Sequence, residues 1–233
     1  MGIINPLRHY QFHITFFHRI FAYSQKTEIM HIGVAGNIGA GKTTLTSLLA
    51  KYYGWEARFE DIDHNPYLES FYEDMQRWSF NLQVYFLNSR FRQVLEIKKG
   101  GKDVIQDRTI YEDAHIFAPN LHEMSLMTTR DFDNYQSLFQ LMSSLIEPPD
   151  LLIYLRGSVS TLVQKIQDRG REYENSIRID YLKKLNERYN TWIANYNIGN
   201  LLVIDTDNID FKNNREDLGV IIEKINAEIH GLF

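Results

Sequence analysis

A loop of the form G-x-x-x-x-G-K-[ST] runs from Gly36 through Asn37, Ile38, Gly39, Ala40, Gly41 and Lys42 to Thr43 and Thr44. The backbone N–H groups of such a loop can wrap a phosphate chain. The apolar run Met30–Ala35 before it reads as a short buried strand, and Leu45–Tyr53 after it reads as a helix that stops at Gly54. That order is the context the motif requires, because phosphate then lies at a helix N-terminus, where unpaired N–H groups and the dipole favour negative charge. A glycine-rich turn arising by chance would not carry both flanks. The chain is therefore expected to bind a nucleoside triphosphate within an α/β fold.

At 233 residues there is room for one α/β domain with a full core. Four further strands are expected. Trp55–Phe59 delivers Glu60 and Asp61 to its end, Val104–Gln106 leads into Asp107, and Leu151–Leu155 and Leu201–Asp205 follow. Between them, one long helix is read from about Ser70 to Ile97, and two helices from Asp113 to Leu145 joined near Ser125 to Asp131. A helix capped by Ser158 or Ser160, another over about Ile179–Tyr196, and a closing amphipathic helix complete the pattern. Alternating strands and helices predict a three-layer sandwich, a five-stranded parallel sheet covered on both faces.

Residues 1–29 do not match this pattern and are read as an N-terminal extension to a domain at 30–233. Their aromatic and histidine cluster, Tyr10–Phe21, is broken by polar residues and falls short of the ~20 needed to span a bilayer. A membrane-surface helix or an extension without a folded role both remain open. Met30 stands directly before the first core strand and is the expected natural start; an intact mass that includes residues 1–29 would overturn that.

A net charge of -5 argues against a non-specific nucleic-acid binder. The absence of cysteine removes disulfides, thiolate metal sites and thiol nucleophiles, and fits a reducing, cytoplasmic location. Within the loop, Lys42 can reach the β- and γ-phosphates and Thr43 can hold Mg²⁺ through its hydroxyl. Phosphoryl transfer also uses a carboxylate facing the acceptor, so Glu60 and Asp107, both at strand ends, are the candidates; each could otherwise be a helix cap or a surface charge. Lys165, Arg169 and Arg171, followed by a polar stretch, suit a mobile lid over phosphates, or else cations complementing a helix C-terminus.

With these motifs in this order, the chain from Met30 to about Phe211 resembles the deoxynucleoside kinases. The resemblance is carried by Gly36–Thr44, Glu60, Tyr72-Glu73, Arg77–Gln83, Ser89-Arg90, Asp107–Asp113 and Arg169-Gly170-Arg171. It implies that Glu60 takes the proton of the nucleoside 5′-hydroxyl as that oxygen attacks the γ-phosphate of ATP. Arg108 would orient the hydroxyl, and Asp107 would sit near Mg²⁺. Lys165, Arg169 and Arg171 would grip the phosphates, and Tyr72 with Glu174 would bind the sugar 3′-hydroxyl. Gln83 would read the base edge, Phe117 would pack on the base, and Asn208–Phe211, with Asp210 and Phe211, would surround the ATP adenine. Taken singly, Tyr72 and Phe117 read as core aromatics and Gln83 as a surface amide; it is the family pattern that favours the functional role for each.

Arg90 and Asp113 resemble the charged pair of the deoxycytidine and deoxyguanosine kinases, which implies that thymidine is a poor substrate. Asn65-Pro66-Tyr67 after the carboxylate resembles relatives that lean toward deoxyadenosine. Many relatives follow the glutamate with Pro-Val where this chain has Asp61-Ile62, so the base is Glu60 or Asp61. The resemblance further implies a homodimer, with ATP and a deoxynucleoside as partners and neither nucleic acid nor membrane. A nucleoside monophosphate kinase would need a spare arginine cluster for the acceptor's phosphate. A nucleotide switch would leave Glu60 and Arg108 idle.

Overall fold

The computed structural model describes residues 29–231 apart from Asp61 and Asp63, so the readings for residues 1–28 and for Asp61 lie outside the described residues. Five parallel strands form one sheet in the order β2-β3-β1-β4-β5. They are β1 (His31–Gly36), β2 (Glu56–Arg58), β3 (Val104–Asp107), β4 (Leu151–Arg156) and β5 (Asn200–Asp205). The central β1 pairs Ile32 with Ile105 on one side and Leu151 on the other. All residues of β1 and β3 are buried, the continuous burial expected where helices cover both faces of a parallel sheet.

The period-2 alternation of the strands sorts their side chains into two cores. Ile32, Val34, Leu151, Ile153 and Leu155 pack with Leu45 and Leu49 of α1 (Lys42–Tyr53) and with Ile221 and Ile225 of the last helix, Arg215–His230. Ala35, Leu152 and Tyr154 point the other way, onto Leu82, Phe86, Ile116, Leu185 and Tyr189. This is the expected three-layer sandwich.

Two elements depart from the sequence reading. The long helix is two, α2 (Leu68–Glu73) and α3 (Met75–Gly100). Asp74 breaks the run at φ −141° and ψ 83° and caps α3 by accepting the Arg77 N–H at 3.0 Å. Apolar periodicity carries across such a cap, which is why spacing alone missed it. The second departure follows β3. The run after it begins earlier than expected, as α4 (Ile110–Glu112), widens to a π-helical turn at Asp113–Phe117, and continues as α5 (Ala118–Glu123). The remaining α-helices are α6 (Thr129–Ser143), α7 (Val159–Arg169), α8 (Ile179–Ala194) and α9 (Arg215–His230), with a 3-10 turn at Glu172–Ser176 between α7 and α8. Of the two serines offered as a cap for α7, Ser158 serves, accepting the Thr161 N–H. Among the described residues no helix is long and apolar enough to cross a membrane.

Candidate active site

The carboxyl ends of β1, β2 and β3 open into one cleft, where ligands of parallel α/β sheets bind. Its floor is the glycine loop. Gly39 and Gly41 stand at φ 84° and 97°, in the left-handed region that favours glycine. A Cβ on Gly41 would lie 3.0 Å from the Phe211 ring, so the backbone runs bare there for close approach. Lys42 Nζ donates to Gly36 O at 2.9 Å and Asn37 O at 3.0 Å, within its own loop. Burial, then the nearby Arg108, bring the ammonium down to about 8 against the pull of Asp107, Glu112 and Glu60. Asn37 has a scaffold role, its amide donating to Leu182 O at 3.1 Å.

Glu60 emerges just past β2 and meets two arginines, Arg90 Nη2 at 2.6 Å and Arg108 Nε at 3.6 Å. Burial opposes its charge, but Arg108, Arg90 and Lys42 outweigh burial and hold the carboxyl at about 2. Arg90 Nε lies 3.0 Å from Asp113 Oδ2. Burial pushes Asp113 up to about 7 despite Arg90 and Arg108. Gln83 and Phe117 line the same wall, and Gln83 Oε1 is buried with no hydrogen-bond partner. Phe117 also presents its ring to the Arg108 guanidinium at 4.6 Å.

A family model described as deoxynucleoside kinase matches residues 32–230. The chain belongs to the deoxynucleoside kinase family. It is 40% identical over 201 residues to the deoxyadenosine/deoxycytidine kinase of Bacillus subtilis (strain 168), covering 85% of this chain and 93% of that one. It is 37% identical to a deoxyguanosine kinase of Lactobacillus johnsonii, covering 85% of this chain and 92% of that one. A solved structure of deoxyadenosine kinase from M. mycoides with bound dCTP superposes with a TM-score of 0.75 at 30% identity, over 85% of this chain and all of that one. This kinase is therefore a phosphotransferase with a hydroxyl acceptor, acting on deoxynucleosides.

Beside this frame lie the cations expected from sequence to form a lid. Arg169 grips Glu174 through both carboxylate oxygens, at 2.6 and 3.0 Å, and Arg171 stands 3.5 Å away. Glu174, which the resemblance assigned to the sugar, is here paired with Arg169. Tyr72 stacks on Tyr173 at 5.6 Å, and burial keeps its hydroxyl well above its ordinary value, so it remains a donor. Lys165 does not line the cleft; its Nζ lies 3.5 Å from Thr206 O, on the side of Asp207 and Asp210. Asp210 accepts two hydrogen bonds from Asn213, while Phe211 is buried against Gly41.

Two residues with direct bonds to this machinery were not assigned a role from sequence. Glu112 and Tyr189, both fully buried, contact Arg108 and Gly36. Thr109-x-x-Glu112 has the spacing of a capping box, and Glu112 does cap the Thr109 N–H at 2.8 Å; that signal pointed to a helix start and not to the loop. Nothing in the pattern of α8 marked Tyr189 among its other core aromatics.

The donor set also fits a divalent ion. The Thr43 hydroxyl donates to Asp107 Oδ2 at 2.5 Å, and Asp107 Oδ1 is buried without a partner. Burial raises Asp107, the effect a bound cation would reverse. One hydroxyl and one carboxylate are the few protein oxygens Mg²⁺ uses when phosphate and water complete its shell.

Proposed function

We propose that this kinase transfers the γ-phosphoryl group of ATP to the 5′-hydroxyl of a deoxynucleoside, preferring deoxyadenosine, then deoxyguanosine or deoxycytidine. The observation that carries the reading is Glu60, held between Arg90 and Arg108 in the cleft that Lys42 and Thr43 floor. The acceptor oxygen bonds to the γ-phosphorus, the bond to the bridging oxygen breaks, and ADP departs with that electron pair. In a loose transition state the hydroxyl keeps its proton until the new bond is well advanced. A carboxylate held at about 2 suits that timing: Glu60 first accepts the hydroxyl's hydrogen bond and aims the oxygen, then takes the proton late. Arg108 keeps the carboxylate turned toward the acceptor, Lys42 reaches the β- and γ-phosphates, and Arg169 and Arg171 leave Glu174 for the phosphates as the sugar engages it. Lys165, Asp210 and Phe211 lie on the donor side. Thr43 and Asp107 would hold Mg²⁺, which would supply neutralisation of the charge developing on the phosphates.

Base preference rests on Gln83, whose free Oε1 accepts from an exocyclic amine while its NH₂ donates to a ring nitrogen. Adenine and cytosine present that pair; because the amide could also serve a ring N–H and a carbonyl, the bias against thymine rests on the fixed Arg90–Asp113 pair beside it, in keeping with the deoxyadenosine/deoxycytidine kinase among its relatives. A monophosphate acceptor is disfavoured because the arginines nearest Glu60 are already engaged, Arg90 by Glu60 and Asp113 and Arg108 by Glu60 and Glu112. A homodimer in the cytoplasm completes the reading, with the exposed Leu141 of α6 and Leu145 just past its end available to a partner copy; sedimentation should give twice 27.5 kDa.

The test is ATP·Mg²⁺ with each of the four deoxynucleosides and their monophosphates. Deoxynucleosides should react and monophosphates should not. Turnover of monophosphates alone would replace the reading with a monophosphate kinase, no transfer at all with a nucleotide switch, and thymidine turned over as well as deoxyadenosine would overturn the base preference.

A further inference from the structure

Behind the cleft, Glu112 and Tyr189 join the glycine loop to the acceptor-side arginine through a set of buried hydrogen bonds. Glu112 Oε1 accepts from the Gly36 N–H at 3.2 Å, from Arg108 Nη1 at 3.2 Å and from the Tyr189 hydroxyl at 2.7 Å. The same hydroxyl accepts from Arg108 Nη1 at 2.9 Å and lies 3.0 Å from Gly36 O. A phenol has one proton, so it can donate to Glu112 or to Gly36 O but not to both. Burial, then Glu112, hold that proton on the oxygen well above the ordinary range. The choice matters because Gly36 O is also the acceptor for Lys42, at 2.9 Å.

We propose that Tyr189 and Glu112 are positioning residues that couple the phosphate-donor loop to Arg108. The inference rests on the proposed function of the cleft. When Lys42 turns from Gly36 O to the phosphates, that carbonyl is left short of a donor in a dry site, and leaving it so is costly. The Tyr189 proton is the nearest replacement. Its rotation to Gly36 O removes one of the donors on Glu112 Oε1, and the carboxylate then draws harder on Arg108. Arg108 is held for such an adjustment. Its backbone sits at φ 67°, strained for a side-chain-bearing residue, and its head group faces Glu60, Glu112, Tyr189 and the Phe117 ring. Donor-site occupancy is thereby felt at the residue that sets Glu60 for the acceptor.

A purely structural hub would stabilise the fold without linking the two ligands; a coupling hub must show reciprocal linkage. The measurement is calorimetric binding of the preferred deoxynucleoside with and without a saturating non-hydrolysable ATP analogue and Mg²⁺, on the full chain. The native protein should bind the nucleoside ~5-fold or more tightly with the analogue present, the lower end of common coupling energies. Tyr189→Phe keeps the ring stacked on Tyr154 and deletes only the hydroxyl. It should bring that ratio within twofold of one while each ligand alone binds as before. Glu112→Gln keeps the outline but turns an NH₂ toward donors on one side, so in a folded protein it should also bring the ratio toward one, and it stands in if the phenylalanine variant fails to fold. An unchanged ratio in a folded variant, or no linkage in the native protein, would overturn the inference while leaving the proposed function intact. A protein that binds no deoxynucleoside at all would sink the proposed function first.

Discussion

Arg90 Nη2 meets Glu60 Oε1 at 2.6 Å, so a residue of α3, the helix that also carries Gln83, directly holds the carboxylate that follows β2. The contact extends a row of alternating charge, from Asp113 through Arg90, Glu60 and Arg108 to Glu112. Each member is positioned by a different element: the π turn, α3, the end of β2, the end of β3 and α4. The sheet edge thus presents one electrostatic unit rather than separate ion pairs.

Replacing Arg90 with Met should therefore do more than alter base choice. Turnover of the best nucleoside should fall by ~10²–10³, the usual loss of a preorganised charged donor, and the differences among bases should narrow. Stability carries a distinct signature. Removing one partner of a buried pair costs about 3–5 kcal/mol if the other stays charged. Asp113, whose burial raises it from 3.8 to about 7, can instead take a proton. A raised carboxyl stabilises below its unfolded value and loses that contribution as pH rises through about 7. Urea unfolding of Arg90→Met should accordingly show a smaller deficit at pH 6 than at pH 8.5.

Lys42 predicts a proton-linked donor site. In the free protein its ammonium is held at about 8, with burial as the main cause. A bound triphosphate restores a higher value by opposite charge. Binding of ATP at pH 8 to 9 should therefore take up protons, and affinity should fall as pH rises past about 8. Calorimetry in buffers of different ionisation enthalpy reads the uptake directly, and Lys42→Met should abolish it. An uptake that persists in Lys42→Met would assign the proton elsewhere.

Two glycines separate phosphate binding from simple backbone strain. Gly41, at φ 97°, has the Phe211 ring 3.0 Å from a built Cβ, whereas Gly54, at φ 71°, has nothing within 4 Å. Gly54→Ala should cost only the left-handed penalty, ~1–2 kcal/mol, with unchanged affinity for ATP. Gly41→Ala carries the same strain and also pushes on Phe211 and the loop amides, so ATP binding should weaken by at least tenfold. Equal ATP affinity in the two variants would show that the loop tolerates the methyl.

The sheet was legible because its strands are short runs bounded by polar residues, as Val104–Gln106 runs into Asp107. The Lys42, Thr43, Glu60 and Arg108 cluster was legible for the same reason: parallel strands deliver their ends to one edge. What spacing could not show was how one polar side chain acts on another. Asp74 looks like an ordinary surface residue until its carboxylate is seen to cap α3, and the π turn that places Asp113 and Phe117 leaves no mark in an apolar pattern. Glu112 and Tyr189 are further cases, 77 residues apart and joined only by the fold. The Arg169–Glu174 ion pair is likewise invisible to motif matching, which assigns each residue one partner.

Glu60 itself gives the sharpest division between adjacent carboxylates. Glu60→Gln should lower kcat by ~10²–10⁴, the span typical of removing a general base, with nucleoside KM changed far less. Asp61→Asn should stay near native activity, since the paired arginines converge on Glu60. Acid stability supplies a second readout. Glu60 is lowered from 4.5 to about 2, so its contribution to stability is present above the unfolded value and is lost as pH falls toward about 2. The native protein should therefore shed stability between pH 4.5 and 2 more steeply than Glu60→Gln, whose amide cannot titrate. If activity survives Glu60→Gln and disappears with Asp61→Asn, the base belongs to the neighbouring residue and the arginine pair serves only to hold the loop.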